Sequence, residues 1–192
     1  MLVLKDKSII QGIEKACVRA AKMHRPILFS YSFRFDVRDI LPLLSHPIDK
    51  ETIRIYWTQP SKGFSYAGLG SVLKYQKNDM QNILKMKDVI LESMRMGVSI
   101  GDNTFIGPRM IGGVAFNEYT GSDTTWKHFP RSQFHLPECL ATLTDDGTWL
   151  TISRMIEIDD TVEDAVRRFK QTVSYYENRL PVTLPPISKV SV

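Results

Sequence analysis

A chain of 192 residues with 43% apolar and 24% charged side chains has the composition of an ordinary folded protein, long enough to bury one conventional core. Its net charge of +4, from 25 basic and 21 acidic residues, is scattered, and no Lys/Arg run or recognition motif points to nucleic acid. Neither the N-terminal MLVLKDKSII nor any later stretch has the apolar length of a signal peptide or a membrane span, so the expectation is a cytoplasmic protein with no membrane partner.

Taken in chain order, Ile9, Ile10, Ile13, Cys17, Ala20 and Ala21 recur at helical spacing and predict an amphipathic helix over 8–23, with Asp6 or Ser8 as its cap. His24-Arg25-Pro26 stops it. PILFSYSFRF alternates Ile27, Phe29, Tyr31, Phe33 and Phe35 as a half-buried strand does. A short segment around Ile40 to Leu44 follows. TIRIYWTQP then predicts a strand with Ile53, Ile55 and Trp57 on one side, and FSYAGLGSV its partner. From Lys77 to Met96 the apolar positions again follow a helical period, with Gly97 as C-terminal cap. Strands are expected near 110–116 and continuously over 134–144. Asp145-Asp146-Gly147 suits a tight hairpin turn into TWLTISRMIEI. Asp160 and Glu163 form a capping-box pattern for a last helix through Val162, Phe169, Val173 and Tyr176.

Hairpin-linked strands with long helices between strand groups predict an α+β fold with antiparallel sheets, as a single domain over 1–180 and a Pro-rich tail or linker over 181–192. Cys17 and Cys139 lie far apart and read as buried free thiols in a reducing compartment.

Chemistry-bearing patterns are sparse. Gly68-x-Gly70 lacks the third glycine or the lysine of a phosphate loop and reads as a turn or bulge. His24, His46, His128 and His135 show no metal-ligand spacing, and the pairs Asp145-Asp146 and Asp159-Asp160 are accounted for by turns and caps. No nucleophile elbow occurs, and neither cysteine is read as lying in an electropositive sequence context. Arg34, Arg54 and Arg131 are the strand-associated cations a dicarboxylate would need; solvent is the simpler partner for each.

One ordered set of motifs is more specific. Trp57 and Pro60 in IYWTQP, Gly68 and Gly70, then Gly112, Gly113 and Phe116 in IGGVAF, Trp126, Phe129-Pro130, and Phe134, Leu136 and Pro137 in FHLP together resemble the N-terminal half of isochorismate synthases. These are chorismate-utilising enzymes related to anthranilate, aminodeoxychorismate and salicylate synthases. The resemblance runs from about residue 26 to 155. It implies antiparallel sheets packed as a sandwich with helices outside, in which these residues are structural: Gly112 and Gly113 permit close approach, and Phe116, Trp126, Phe129 and Phe134 fill the space around them.

The same resemblance implies that the chemistry lies elsewhere. In such enzymes a lysine activates water, a glutamate acts as general acid and further glutamates hold magnesium, all in C-terminal segments that this sequence does not contain. Lys189 in SKVSV echoes the lysine motif without the helix that should precede it, so no catalytic residue is assigned. Ile90-Leu91-Glu92-Ser93 looks like the tryptophan-sensing element of anthranilate synthases but falls in a predicted helix, and reads as helix surface. The expectation is therefore a scaffold portion of an isochorismate synthase, serving menaquinone or siderophore and salicylate synthesis. It would be inactive alone, with magnesium belonging to the complete enzyme and a separately encoded catalytic half as possible partner. The alternative is a non-catalytic partner subunit or small-molecule binding module.

Overall fold

The computed structural model describes residues 7–35, 37–45, 52–76, 98–99, 105–115, 130 and 132–178. Helix α1 (Lys7–Met23) buries Ile9, Ile13, Ala16, Cys17 and Ala20 along one stripe, as the sequence period requires. Ser8 sits inside its first turn rather than capping it, and Asp6 lies outside the described residues. The helix ends because His24 turns left-handed, at φ 49°, a conformation that short polar side chains tolerate. Arg25 N–H then reaches back to the Ala20 carbonyl at 3.3 Å, and Pro26 forbids another turn.

A six-stranded sheet has the order β2-β3-β8-β9-β1-β5, built from β1 (Ile27–Phe35), β2 (Arg54–Gln59), β3 (Phe64–Leu69), β5 (Val98–Ser99), β8 (Cys139–Thr144) and β9 (Gly147–Ile156). Its pairs are antiparallel except for β1 with β5. A second, three-stranded sheet has the order β4-β7-β6, from β4 (Leu73–Gln76), β6 (Ile111–Val114) and β7 (Ser132–Leu136), antiparallel throughout. A short helix α2 (Pro42–Ser45) and the final helix α3 (Val162–Glu177) complete an α+β fold. The predicted helix over 77–96, with Gly97 and the Ile90–Ser93 stretch, lies outside the described residues, as does the predicted tail over 181–192.

Registered partners share a sheet face, so the two faces of the large sheet can be read off the pairing. On one face Phe29, Tyr31, Phe33, Leu150, Ile152, Cys139, Ala141, Ala67 and Leu69 join α1 and the α3 residues Ala165, Phe169 and Val173 in one core. The opposite face carries Leu28, Ser30, Ser32, Thr151, Ser153, Leu140, Thr142, Phe64 and Tyr66, all buried as well. There Ile111 of the small sheet and Phe105 pack against Phe64, Tyr66 and Leu140. The sheets are thus stacked, with α1 and α3 on the outer side.

Two sequence expectations are corrected. The strand expected over 134–144 is two strands in different sheets, β7 and β8, broken at Pro137-Glu138. Proline offers no N–H to a ladder, so the chain leaves one sheet there and enters the other. The cap of α3 is one residue later than expected: Thr161 accepts from the Asp164 N–H at 3.1 Å and donates to the Asp164 carboxylate at 2.8 Å. Asp160 instead accepts from Glu157 N–H at 2.8 Å and pairs with Arg168. The β8–β9 turn follows the sequence, with Gly147 at φ 127° and Arg34 donating to the Asp146 carbonyl at 2.9 Å. No helix among the described residues is long and apolar enough to cross a membrane.

Candidate functional site

The Pro137-Glu138 crossover explains the Gly-x-Gly pattern. A Cβ on Gly68 would stand 2.7 Å from Pro137 Cγ, and one on Gly70 would stand 3.2 Å from Glu138 Cβ and 3.3 Å from the Tyr176 hydroxyl. Gly70 also holds φ 68°, which a side chain resists. The glycines make room for a polar cluster between sheet and helix. Tyr176 donates to one Glu138 oxygen at 2.9 Å, and Arg154 donates to the other at 3.3 Å and to Thr172 at 2.6 Å. Thr172 in turn donates to the Arg168 carbonyl at 3.1 Å.

Beside this cluster opens a cleft of about 240 Å³ lined by Val72, Glu138, Arg154, Met155, Glu157 and Arg168. Its arginines are already matched, Arg154 by Glu138 and Arg168 by Asp160. Burial first, and then the Glu138 carboxylate, push the Tyr176 phenol far above its usual range, so it is a permanent donor and no acid or base at ordinary pH. The thiols are inert for a similar reason: burial raises Cys139 and Cys17, with Glu138 and Asp160 respectively adding to it, which removes the thiolate a nucleophile needs. Among the described residues no group of three His, Cys, Asp or Glu could hold a metal. The described donors therefore do not fit a magnesium site.

His135 on β7 is the one buried histidine in the described residues. Gln133 donates its amide N–H to Nε2 at 2.6 Å. The proton then belongs on Nδ1, which faces Ser71 Oγ at 2.9 Å, while Ser71 donates to the Leu73 carbonyl at 3.0 Å. This network holds a neutral ring. Burial, and secondarily the charge of its cross-strand neighbour Lys74, lower the His135 pKa. A folded value below the unfolded one of about 6.5 means that the unfolded chain takes up the proton first on acidification. Stability is then complete above pH 6.5 and declines below it. Melting curves between pH 8 and pH 5 should show a smaller acid loss for His135→Gln than for the parent; equal losses would assign the effect to another group.

The sheet face away from the helices carries hydroxyls at its centre. Ser30 and Ser153 are bonded at 2.8 Å, and Ser32 and Thr151 at 2.9 Å. One row further, Tyr66, Thr142 and Trp149 are consecutive cross-strand neighbours. Tyr66 donates to the Phe105 carbonyl at 3.0 Å and is bonded to Arg109, whose charge favours the phenolate while burial opposes it more strongly. Thr142 Oγ1, Trp149 Nε1 and Arg109 Nε are buried atoms without a partner.

Residues 12–190 match the family model described as "Chorismate binding enzyme". The chain belongs to the chorismate binding enzyme family. Isochorismate synthase MenF of Bacillus subtilis (strain 168) is 22% identical over 179 residues, which are 88% of this chain and 38% of that relative. The chain thus spans less than half the length of this curated relative. A solved structure of MenF, the menaquinone-specific isochorismate synthase from Escherichia coli, matches 94% of this chain and 36% of its own, at 13% identity and a TM-score of 0.46.

The structure positions many of the family-resembling residues around the crossover and the small sheet. Leu136 is fully buried. Pro137 meets Gly68, and Gly112 lies opposite Phe134 in the β6–β7 register. What crowds Gly112 is backbone, with Gln133 O 2.0 Å from an added Cβ, rather than an aromatic ring. An added Cβ on Gly113 meets nothing within 4 Å. Trp57 is 53% exposed on β2, at the sheet edge, and Pro60 begins the 3-10 turn Pro60–Lys62. Pro130 is half-buried. Phe116, Trp126, Phe129, Arg131 and Lys189 lie outside the described residues. Sequence reading missed the Glu138–Arg154–Tyr176 cluster and the Tyr66–Thr142–Trp149 row, because each is assembled across strands distant in the chain. The one local signal was glycine spaced two apart before a proline-bearing strand.

Proposed function

We propose that this chain is the N-terminal scaffold portion of an isochorismate synthase, an enzyme that converts chorismate to isochorismate for menaquinone or siderophore and salicylate synthesis. The observation that carries the reading is the match to the family model over residues 12–190. It is supported by similarity to an isochorismate synthase of which this chain spans 38%. In the cleft beside Glu138 the arginines are paired, Arg154 with Glu138 and Arg168 with Asp160. Isomerising chorismate calls for an acid and a base on opposite faces of its ring and a cation for its carboxylates. Those groups, with magnesium, are assigned to the C-terminal portion of such an enzyme, and the cytoplasm is the compartment proposed for the assembly.

A non-catalytic partner role is the second reading, favoured by β2. This strand lies at the edge of the large sheet and exposes Tyr56 by 44% and Trp57 by 53%, as a surface awaiting another chain does. One experiment addresses both readings. The purified chain is incubated with chorismate and magnesium, alone and with the separately produced C-terminal portion of the Bacillus subtilis relative. The expected result is no isochorismate from the chain alone and turnover, with co-elution on gel filtration, from the pair. Turnover by the chain alone would overturn the scaffold assignment. Co-elution without turnover would leave the partner role standing without catalysis.

A further inference from the structure

We propose that the chain pairs with a second copy of itself along β2, strand to strand and antiparallel about a two-fold axis. β2 has β3 on one side and is the last strand of the large sheet on the other. Natural edge strands are blunted by proline, lysine or a bulge. RIYWTQ contains no proline or lysine, and its register with β3 runs from Arg54 to Gln59 without interruption. Tyr56 and Trp57 stand exposed on its two faces. Nothing in the strand itself discourages a further one.

The ladder to β3 fixes which groups point outward. Gly70 N–H donates to the Ile53 carbonyl at 3.0 Å, one step beyond the pairing of Arg54 with Leu69. Bonded and non-bonded pairs alternate in an antiparallel ladder. Ile55, Trp57 and Gln59 therefore turn their N–H and C=O groups toward β3, whereas Arg54, Tyr56 and Thr58 turn theirs to the open side. A second β2 laid antiparallel with Tyr56 on the two-fold matches Tyr56 with its own copy and Arg54 with Thr58 of the partner subunit. This register uses all three outward residues of each strand, and a two-residue slide to either side leaves one of them without a partner in the facing strand. It sets the strand's one charge, Arg54, opposite a hydroxyl rather than another arginine. It also lays Trp57 beside Ile55 of the partner subunit, an aromatic and β-branched pair of the kind that stabilises sheets. The strand is thus complementary to itself, as a two-fold interface requires. Six residues make a contact about 20 Å long, smaller than the ~1,000 Å² of a stable interface, so the dimer forms by mass action as concentration rises. The proposal goes beyond the scaffold and partner readings and depends on neither, since self-association needs no chorismate and no C-terminal portion.

Sedimentation velocity of the full chain over about a hundredfold range of concentration should show monomer passing into dimer. Tyr56→Lys and Tyr56→Glu each place like charges side by side on the two-fold, and each should weaken dimerisation by about tenfold or more. An equal mixture of the two should dimerise again, because the introduced ammonium then faces a carboxylate, and that recovery also shows that both variants are folded. Val18→Lys, on the exposed side of α1, should dimerise like the parent. In amide exchange Tyr56 and Thr58 should gain protection with concentration, while Ile55 and Trp57, already bonded to β3, should not. A chain that stays monomeric throughout would overturn the proposal. So would one that takes up only the C-terminal portion of the Bacillus subtilis relative, which would then be the occupant of this edge. Dimers that survive in both charged variants, or a mixture of folded variants that does not recover, would place the contact elsewhere and overturn it equally.

Discussion

Replacing Gly112 with alanine is expected to part β6 from β7, while the same change at Gly113 leaves the pair intact. A Cβ at 112 would stand 2.0 Å from Gln133 O, 2.8 Å from Gln133 C and 2.6 Å from Phe134 Cα. All three are backbone atoms of the strand to which β6 is bonded, so no side chain can rotate out of the way. The strands must separate, and β6 is only four residues long. We expect a loss of about 3 kcal/mol or more, the upper range of overpacking, and a melting point lower by roughly 6 to 12 °C for a chain of this size. Gly113 has open space around its missing Cβ and no positive φ. Alanine there removes unfolded-state freedom and should be neutral or stabilising by up to ~1 kcal/mol. Circular dichroism melts of the two variants, with amide exchange on β6, check this. Equal losses at both sites would show that the Gly-Gly pair acts through flexibility and not through steric fit.

Elements whose signal is local were legible in the sequence. The period of Ile9, Ile13, Ala16 and Ala20 makes α1, the alternation of Ile27 to Phe35 makes β1, and the Asp-Asp-Gly turn makes the β8–β9 hairpin. Misreadings arose where two local signals competed. Thr161 and Asp160 are adjacent residues that can each cap a helix, and only the path of the chain decides that Thr161 does so while Asp160 meets Arg168. Phe134 to Thr144 reads as one strand because Leu136, Cys139 and Leu140 are all apolar, and a proline within such a run marks a break whose direction depends on which sheet waits on either side. The short strand β4 and the parallel pairing of β1 with β5 have no local signature, since both depend on partners far along the chain.

The same distinction governs the candidate sites. Family-resembling residues such as Gly68, Pro137 and Gly112 could be picked out because steric demands restrict the residue type. Polar groups such as Glu138, Arg154, Thr142 and Trp149 are individually ordinary for strands, and what sets them apart is register: Thr142 opposite Trp149, and Arg154 within reach of both Glu138 and Thr172. The alternation also concealed the difference between sheet faces. Ser30 and Ser32 read as the solvent side of β1, yet both are buried, because this sheet is covered on both faces.

Truncating Phe169 to alanine should give the largest loss on the helix side of that sheet. Its ring is fully buried and meets Phe29 edge to face, with centroids 5.1 Å apart at 71°. Removing it deletes apolar area and opens a cavity between α3 and the sheet, a change that costs about 3–5 kcal/mol and lowers the melting point by roughly 6 to 20 °C. Phe29→Ala should cost a similar amount, and the double variant less than the sum by about 0.5–1.5 kcal/mol, the part owed to the ring pair itself. Val18→Ala on the 69% exposed side of α1 is the control and should stay within about 0.5 kcal/mol. A Phe169→Ala chain that melts with the control would mean that α3 is held by its polar contacts instead. Those contacts hang from the same helix, since Thr172 and Tyr176 reach Arg154 and Glu138 from the turns that follow Phe169. Loosening α3 should therefore also free the amides where β8 begins at Cys139, which hydrogen exchange would register as weaker protection at the crossover.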